Sequence, residues 1–400
     1  MSSQVASMSF NPYDYDFHED PYPTYAWLRA HAPLYRNEEL DFWALSRYPD
    51  VTAGFRDDVR LSSANGVSLD PAAYGPHAHR TMSFLAMDDP RHMRMRALVS
   101  RAFTPRRVAA LEARVVELTR QHLDLALARE EFDFIGEFAG KLPMDVISEL
   151  LGVPVADRDR LRALADTVMH RVDGVLDVPP PAIKAALELA RYYADMLAER
   201  RVRRSDDLTS ALLDAEIDGE CLTDEEIIGF LFLMVVAGNE TTTKLLGNAL
   251  YWAWRNPDEL ATAFADPALV SAWIEETLRY DTSSQIIVRT ATTDLEYHGR
   301  TVPAGARVLL LIGSANRDGE AFPDGDSYRI GRESGQQLAS FGAGVHFCLG
   351  ASLARLEARV ALTEIVKRVA DYEIDDAAAE RVHSTNVRGF ATLPVRMSAR

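Results

Sequence analysis

Phe341-Gly342-Ala343-Gly344-Val345-His346-Phe347-Cys348-Leu349-Gly350 sets one thiol among glycines, directly ahead of the run ASLARLEARVALTEIVKRVADY (351–372). Apolar residues recur in that run at helical spacing, so a long amphipathic helix is expected just past the thiol. Unpaired N–H groups and the positive end of a helix dipole favour an anion there. The placement therefore predicts a Cys348 pKa lowered toward the thiolate, the form that attacks as a nucleophile or binds a metal. Gly344 and Gly350 carry no side chains, so the backbone can lie against a flat ligand and donate hydrogen bonds to the sulfur. The plainer alternative is a core cysteine in a tight turn. Zinc is poorly supported, because no second Cys and no His at finger spacing accompanies the thiol.

Composition narrows the classes around this loop. The chain has 400 residues, 47% of them apolar and 26% charged, ordinary values for a protein that buries a sizeable core. A net charge of −17 argues against a general nucleic-acid binder, which needs an excess of Lys and Arg to neutralise phosphates. Cys221 and Cys348 are the only cysteines and stand in unlike contexts, which gives no disulfide framework and fits a reducing cytoplasm. The first residues do not read as a signal peptide, and the most apolar helical stretch, Ile227 to Gly238, is shorter than the roughly 20 residues of a membrane span. A soluble cytoplasmic chain without an anchor is expected. No repeat, linker or low-complexity tract divides it, so residues 1–400 are read as one domain.

Upstream, FWALSRYPDVTAGFRD (42–57) holds short strand-like runs, and helical periodicity extends from about Arg91 to Tyr280. Between Ile286 and Leu311 apolar and polar residues alternate around turns at His298-Gly299 and Pro303-Ala304-Gly305, the pattern of β-hairpins. The loop from Ala315 to Ser340 is long enough to be functional or packed against something rigid. A mainly α fold with a smaller β-rich lobe is expected.

Thr223-Asp224-Glu225-Glu226 forms a capping box ahead of an apolar run, so a helix should open there and continue to about Arg255, before Pro257. The i, i+3, i+4 rule predicts that Leu233, Val236, Ala237, Glu240 and Thr241 share one stripe. A carboxylate on that stripe either reaches solvent, pairs with a buried base, or does chemistry. The hydroxyls of Thr241, Thr242 and Thr243 either bond back to carbonyls one turn earlier or serve the same chemistry.

Taken together, the Phe-x-x-Gly-x-x-x-Cys-x-Gly loop and Ala237-Gly238-Asn239-Glu240-Thr241-Thr242 resemble the haem-binding and oxygen-activating signatures of the cytochrome P450 family. The resemblance implies a b-type haem whose iron takes Cys348 as its thiolate ligand, in a loop where Phe341, Gly342 and Gly350 pack against the macrocycle. It implies that Ala237 and Gly238 leave room for dioxygen, that Thr241 stabilises it, and that Glu240 relays protons. Three more matches follow. His92 and Arg96, at i, i+4 in a helix beginning near Asp89, together with Arg289 and His346, match the family's propionate contacts. Glu276 and Arg279 match the Glu-x-x-Arg pair that fastens the helical core to the loop before the cysteine. The family often supplies a further Arg from that loop, where Ser327 stands instead; Arg329 and Arg332 are the candidates to replace it.

The implied activity is insertion of one oxygen atom from dioxygen into a small, mainly apolar substrate, usually as hydroxylation or epoxidation. Electrons would come from NAD(P)H through a ferredoxin and its reductase, docked on a basic patch of Arg94, Arg101, Arg106, Arg107, Arg355 and Arg359. Peroxide-dependent haem chemistry and a non-catalytic haem sensor are the alternatives. Val67, Met82, Phe84 and Leu85, with Val236, Ile286, Ile287 and Phe390, are expected to line the substrate pocket.

Overall fold

A computed structural model describes residues 9–100, 103–217, 219–333 and 335–400. The capping box forms as the sequence requires: Glu226 N–H donates to Thr223 Oγ1 at 3.2 Å and Thr223 N–H donates to Glu226 Oε2 at 3.0 Å. Two otherwise orphaned amides are satisfied at once. The helix so opened, Asp224–Trp254, is the spine of the molecule. In chain order the helices that frame the site are α1 (Arg91–Ser100), α2 (Lys141–Leu151), α3 (Val155–Met169), α4 (Pro180–Val202), α5 (Asp224–Trp254), α6 (Val270–Tyr280) and α7 (Ala351–Arg368). Helices α2, α3, α4, α6 and α7 all contact α5. Among the described residues no helix is long and apolar enough to cross a membrane.

The strands are β1 (Leu34–Asn37), β2 (Phe42–Leu45), β3 (Leu61–Ser62), β4 (Glu131–Asp133), β5 (Ile286–Ala291), β6 (Arg307–Leu311), β7 (Val369–Ile374) and β8 (Pro394–Ala399). One sheet has the order β1-β2-β6-β5-β3, in which only the β2 and β6 pair is parallel; a second has the order β7-β8-β4. The run Val308-Leu309-Leu310-Leu311 is continuous because both faces of β6 are covered. Val308 and Leu310 join the cluster of Trp43, Val51 and Phe55, while Leu309 and Leu311 join that of Phe10, Tyr25 and Phe42. The turn His298-Gly299 sits at positive φ in both residues, 52° and 71°, as a tight hairpin between Leu295–Tyr297 and Arg300–Val302 demands.

Two expectations are corrected. The central region is not wholly helical, because Glu131–Asp133 pairs with β8 and buries Phe132 beneath the sheet. Three residues are too few to show a period. The last helix stops at Arg368; Val369, Tyr372 and Ile374 then alternate into the core as β7. A β-branched and aromatic alternation outweighs the helical pattern before it.

Candidate active site

The loop before α7, the middle of α5 and strand β5 enclose one apolar cavity. From α5 it receives Leu233, Met234, Ala237, Gly238, Thr241 and Thr242, a stripe at i, i+3, i+4 spacing. Ile287 and Arg289 come from β5, Phe84 and Leu85 from the segment before α1, and Phe341, Gly342, His346, Cys348 and Gly350 from the cysteine loop. Cys348 N–H donates to the Phe341 carbonyl at 2.9 Å, closing the loop so that the thiol faces inward. Its sulfur is open to the cavity while the surrounding atoms shut it off from bulk water.

That burial corrects the expected acidity. Desolvation raises the Cys348 pKa and outweighs the amides of Gly350 and Ala351 and the charges of Arg96 and Arg355, all of which lower it. The helix start is too weak an anion site by itself, so a cation must meet the sulfur for the thiolate to persist. Gly350 has open space where a Cβ would stand. Gly344, by contrast, serves packing: a Cβ there would meet the Phe55 carbonyl oxygen at 2.9 Å, and its φ is +68°.

Beside the thiol lies a corner rich in positive charge. The rings of His92 and His346 are 4.1 Å apart. Arg289 is 3% exposed and donates only to the neighbouring Val288 carbonyl, at 3.1 Å, among the bonds described. Burial lowers its pKa to about 10, against the opposing pull of Asp88. Burial, then Arg289, His92 and Arg96, push His346 down to about 2. His92 Nε2 and His346 Nδ1 are buried without a hydrogen-bond partner among the described residues. One buried and one half-buried guanidinium group and two orphaned ring nitrogens around a cavity call for anionic acceptors. With a thiol on one wall and a flat apolar slot between, the residues present fit a haem and its two carboxylates.

Some expected site residues lie elsewhere. Ile286 points to the opposite face of β5 from Ile287 and packs with Phe10 and Phe42, the result of strand alternation. Phe390 is 2% exposed and packs in the core with its ring tilted against Tyr251, centroids 4.8 Å apart. Met82 Sδ accepts the Val67 amide at 3.5 Å, and neither residue lines the cavity. Val236 and Glu240 sit one step round α5 from the lining stripe, since successive residues rotate by about 100°. Glu240 is instead 2% exposed against α3, with Lys244 Nζ 3.3 Å from its Oε2 and the Asn239 amide nitrogen 3.4 Å from its Oε1. The buried base is a lysine one turn on, legible as an i, i+4 pair. Thr241 donates to the Ala237 carbonyl at 2.8 Å while lining the cavity.

Glu276 and Arg279 form a two-bond pair, 2.8 Å and 2.8 Å, buried at the end of α6. Arg332 supplies the third member, its Nε 3.3 Å from both Glu276 oxygens. Arg329 reaches Glu276 only through its backbone amide, at 2.8 Å, and turns its side chain to Asp324. Ser327 contributes its carbonyl, which accepts from Arg279 at 2.9 Å. Of the arginines expected to form a docking patch, Arg94, Arg355 and Arg359 are each paired with a carboxylate, Glu220, Glu275 and Glu112. Arg106 and Arg107 are exposed, and Arg101 lies outside the described residues.

A family model described as Cytochrome P450 matches residues 66–394. A cytochrome P450 of Mycobacterium tuberculosis is 64% identical over 98% of this chain and 97% of its own length. A vitamin D(3) 25-hydroxylase of Pseudonocardia autotrophica is 37% identical over 96% of this chain and 95% of its own. A solved cytochrome P450 of Bacillus megaterium in complex with testosterone is 32% identical, with a TM-score of 0.88 over 95% of this chain and 98% of that one.

Proposed function

The chain belongs to the cytochrome P450 family of haem monooxygenases, and from that premise we propose that it inserts one atom of dioxygen into a mainly apolar substrate, by hydroxylation or epoxidation. Haem b ligated by Cys348 supplies the reductive activation of dioxygen when bound. The whole chain is read as the one domain that carries it, because the cavity takes side chains from Phe55 through Glu357. The observation that carries the reading is the facing of Cys348, across one apolar slot, by Ala237, Gly238 and Thr241, with four basic side chains at its edge.

Each group has a task. The amides of Gly350 and Ala351 orient the sulfur and stabilise its charge once a cation offsets the cost of burial. Arg96, Arg289, His92 and His346 bind the two carboxylates. Thr241 spends its proton on the Ala237 carbonyl and presents its lone pairs to the cavity, where they can hold a water beside the substrate. Glu240, charged against Lys244 behind the same turn, takes up a solvent proton and passes it on. Phe84, Leu85, Leu233 and Ile287 exclude water and select apolar substrates. A steroid or secosteroid is the class best supported, given the relatives that bind testosterone and act on vitamin D(3). Electrons come from NAD(P)H through a ferredoxin and its reductase.

The test is a spectral titration of the haem-loaded protein with testosterone, vitamin D(3) and a macrolide, followed by turnover under labelled dioxygen. A saturable spin-state shift and a product carrying one labelled atom are expected with ferredoxin, reductase and NADPH. Turnover supported by peroxide but not by that system would sink the proposal.

The basic corner makes a separate prediction. Arg289→Leu removes one of two guanidinium groups from a buried anion site, a loss of about 2–5 kcal/mol for a charge pair broken from one side. Haem should transfer to an apo-globin acceptor at least tenfold faster than from the parent protein. An unchanged transfer rate would remove Arg289 from the site.

A further inference from the structure

Between α6 and β5 the chain carries three hydroxyls in a row, Thr282-Ser283-Ser284, and all three residues line the cavity. Their backbone is pinned from several sides. Arg388 N–H donates to the Ser283 carbonyl and Gln285 N–H to the Asn386 carbonyl, both at 2.8 Å, with Ser284 opposite Val387 between them. The Asn248 amide group donates to the Asp281 carbonyl at 2.8 Å, and Gln285 Nε2 donates to the Thr282 carbonyl at 2.8 Å. A segment held in this way presents its side chains in one fixed arrangement.

Strand alternation alone would turn Ser284 away from the cavity. Ile287 and Arg289 line it while Ile286 packs on the opposite face, so an unbroken pleat would put Ser284 on the side of Ile286. The pleat breaks at Gln285. Its side chain lies on the Ile286 side, where Nε2 donates to the Tyr22 hydroxyl at 3.4 Å. Its carbonyl accepts two successive amides, from Ile312 at 2.8 Å and from Gly313 at 3.4 Å. A local irregularity of this kind re-aims the neighbouring side chain. Gly313 makes room for it, since a Cβ there would collide with Gln285 Oε1. Ser284 is thereby returned to the cavity. The Ser283 hydroxyl is enclosed by protein without a partner, whereas Ser284 is half-buried, with its hydroxyl open and unpaired among the described residues.

We propose that Ser284 anchors the substrate: its hydroxyl pairs with a hydroxyl or carbonyl oxygen carried on an otherwise apolar frame, an assignment that rests on the reading of this cavity as the place where an apolar substrate is oxidised. The wall around it is built from Phe84, Leu85, Leu233 and Ile287. One fixed polar point on an apolar wall sets the orientation of a ligand, because only one way round satisfies it. A serine hydroxyl both donates and accepts, so alcohols and ketones are served alike. A pure hydrocarbon filling the same space would displace water from Ser284 and give nothing back, which disfavours it against its oxygenated counterpart.

The experiment titrates the haem-loaded full chain with three pairs of ligands, each pair differing by one hydroxyl: androstane and androstanol, dodecane and dodecanol, bornane and borneol. Dissociation constants are read by equilibrium dialysis and from the haem spin-state spectrum. In the parent, the oxygenated member of at least one pair should bind roughly threefold to tenfold tighter, the scale of one net hydrogen bond. Ser284→Ala should erase that preference while the oxygen-free member keeps its dissociation constant, and Ser284→Thr should restore it. In turnover of the same alcohol with ferredoxin, reductase and NADPH, Ser284→Ala should spread oxidation over more positions of the frame. A preference that survives in Ser284→Ala overturns the anchor and leaves the apolar-substrate reading standing. A parent that binds both members of every pair equally does the same. If no member of any pair binds, the apolar-substrate reading fails and takes the anchor with it.

Discussion

Cys348→Ala is expected to lose the red-shifted band of the reduced carbon-monoxide complex and to reduce dioxygen-dependent turnover to background. The argument is geometric and electrostatic. Among the described residues Cys348 is the only thiol on the cavity wall; Cys221 lies on an exposed hairpin in a different part of the molecule. The loop is closed on Cys348 by the bond to the Phe341 carbonyl, so the sulfur position is built in before any ligand arrives. Burial keeps the free thiol protonated, and the cost of making a thiolate is recovered only against a cation. Alanine removes the ligand while leaving the backbone amides and the basic corner, so haem should still bind, more weakly, with the spectrum of a haem lacking thiolate. A variant that keeps the red-shifted band would falsify the assignment of Cys348.

Glu276→Leu should be the most destabilising single change outside the cavity. Glu276 accepts from Arg279 twice at 2.8 Å, from Arg332 at 3.3 Å and from the Arg329 amide at 2.8 Å. Arg279, 1% exposed, would be left with the carbonyls of Asn316, Gly325 and Ser327 and no counter-charge. Breaking a buried pair from one side costs about 3–5 kcal/mol. The loop around residue 332 leads into the cysteine loop, so haem retention should fall with stability. In urea unfolding, the double variant Glu276→Leu with Arg279→Met should recover part of the loss, since an apolar pair leaves no stranded charge. Should the double variant prove no more stable than Glu276→Leu, stranded charge is not the cause.

How far this was legible in the sequence depended on range. Thr223 with Glu226 and His298 with Gly299 work through atoms a few residues apart, and both formed as read. The parallel pairing of β2 with β6 has no local signature. Glu240 and Val236 were placed on the lining stripe because a stripe drawn from spacing alone is wider than the cavity it meets. Ile286 and Ile287 could not be told apart until the pleat of β5 was fixed. The replacement for the missing loop arginine turned on reach: Arg332 curls back to Glu276, whereas Arg329 points out to Asp324. The acidity of Cys348 was misjudged because the helix start is visible in sequence and the depth of burial is not.

The parallel strand pair also governs the order in which the molecule can be made. Arg307 bonds the carbonyl of Asp41 across 266 positions of chain. At synthesis rates of about 5–20 residues per second, the β1 and β2 hairpin waits roughly 13–50 s for its partner to emerge. Alone, a two-stranded hairpin is marginal, and the run Phe42-Trp43-Ala44-Leu45 offers an apolar open edge for all of that time. The nascent chain is thus most adhesive at its beginning. A ribosome that stalls before Ile286 leaves a product prone to aggregate through that edge.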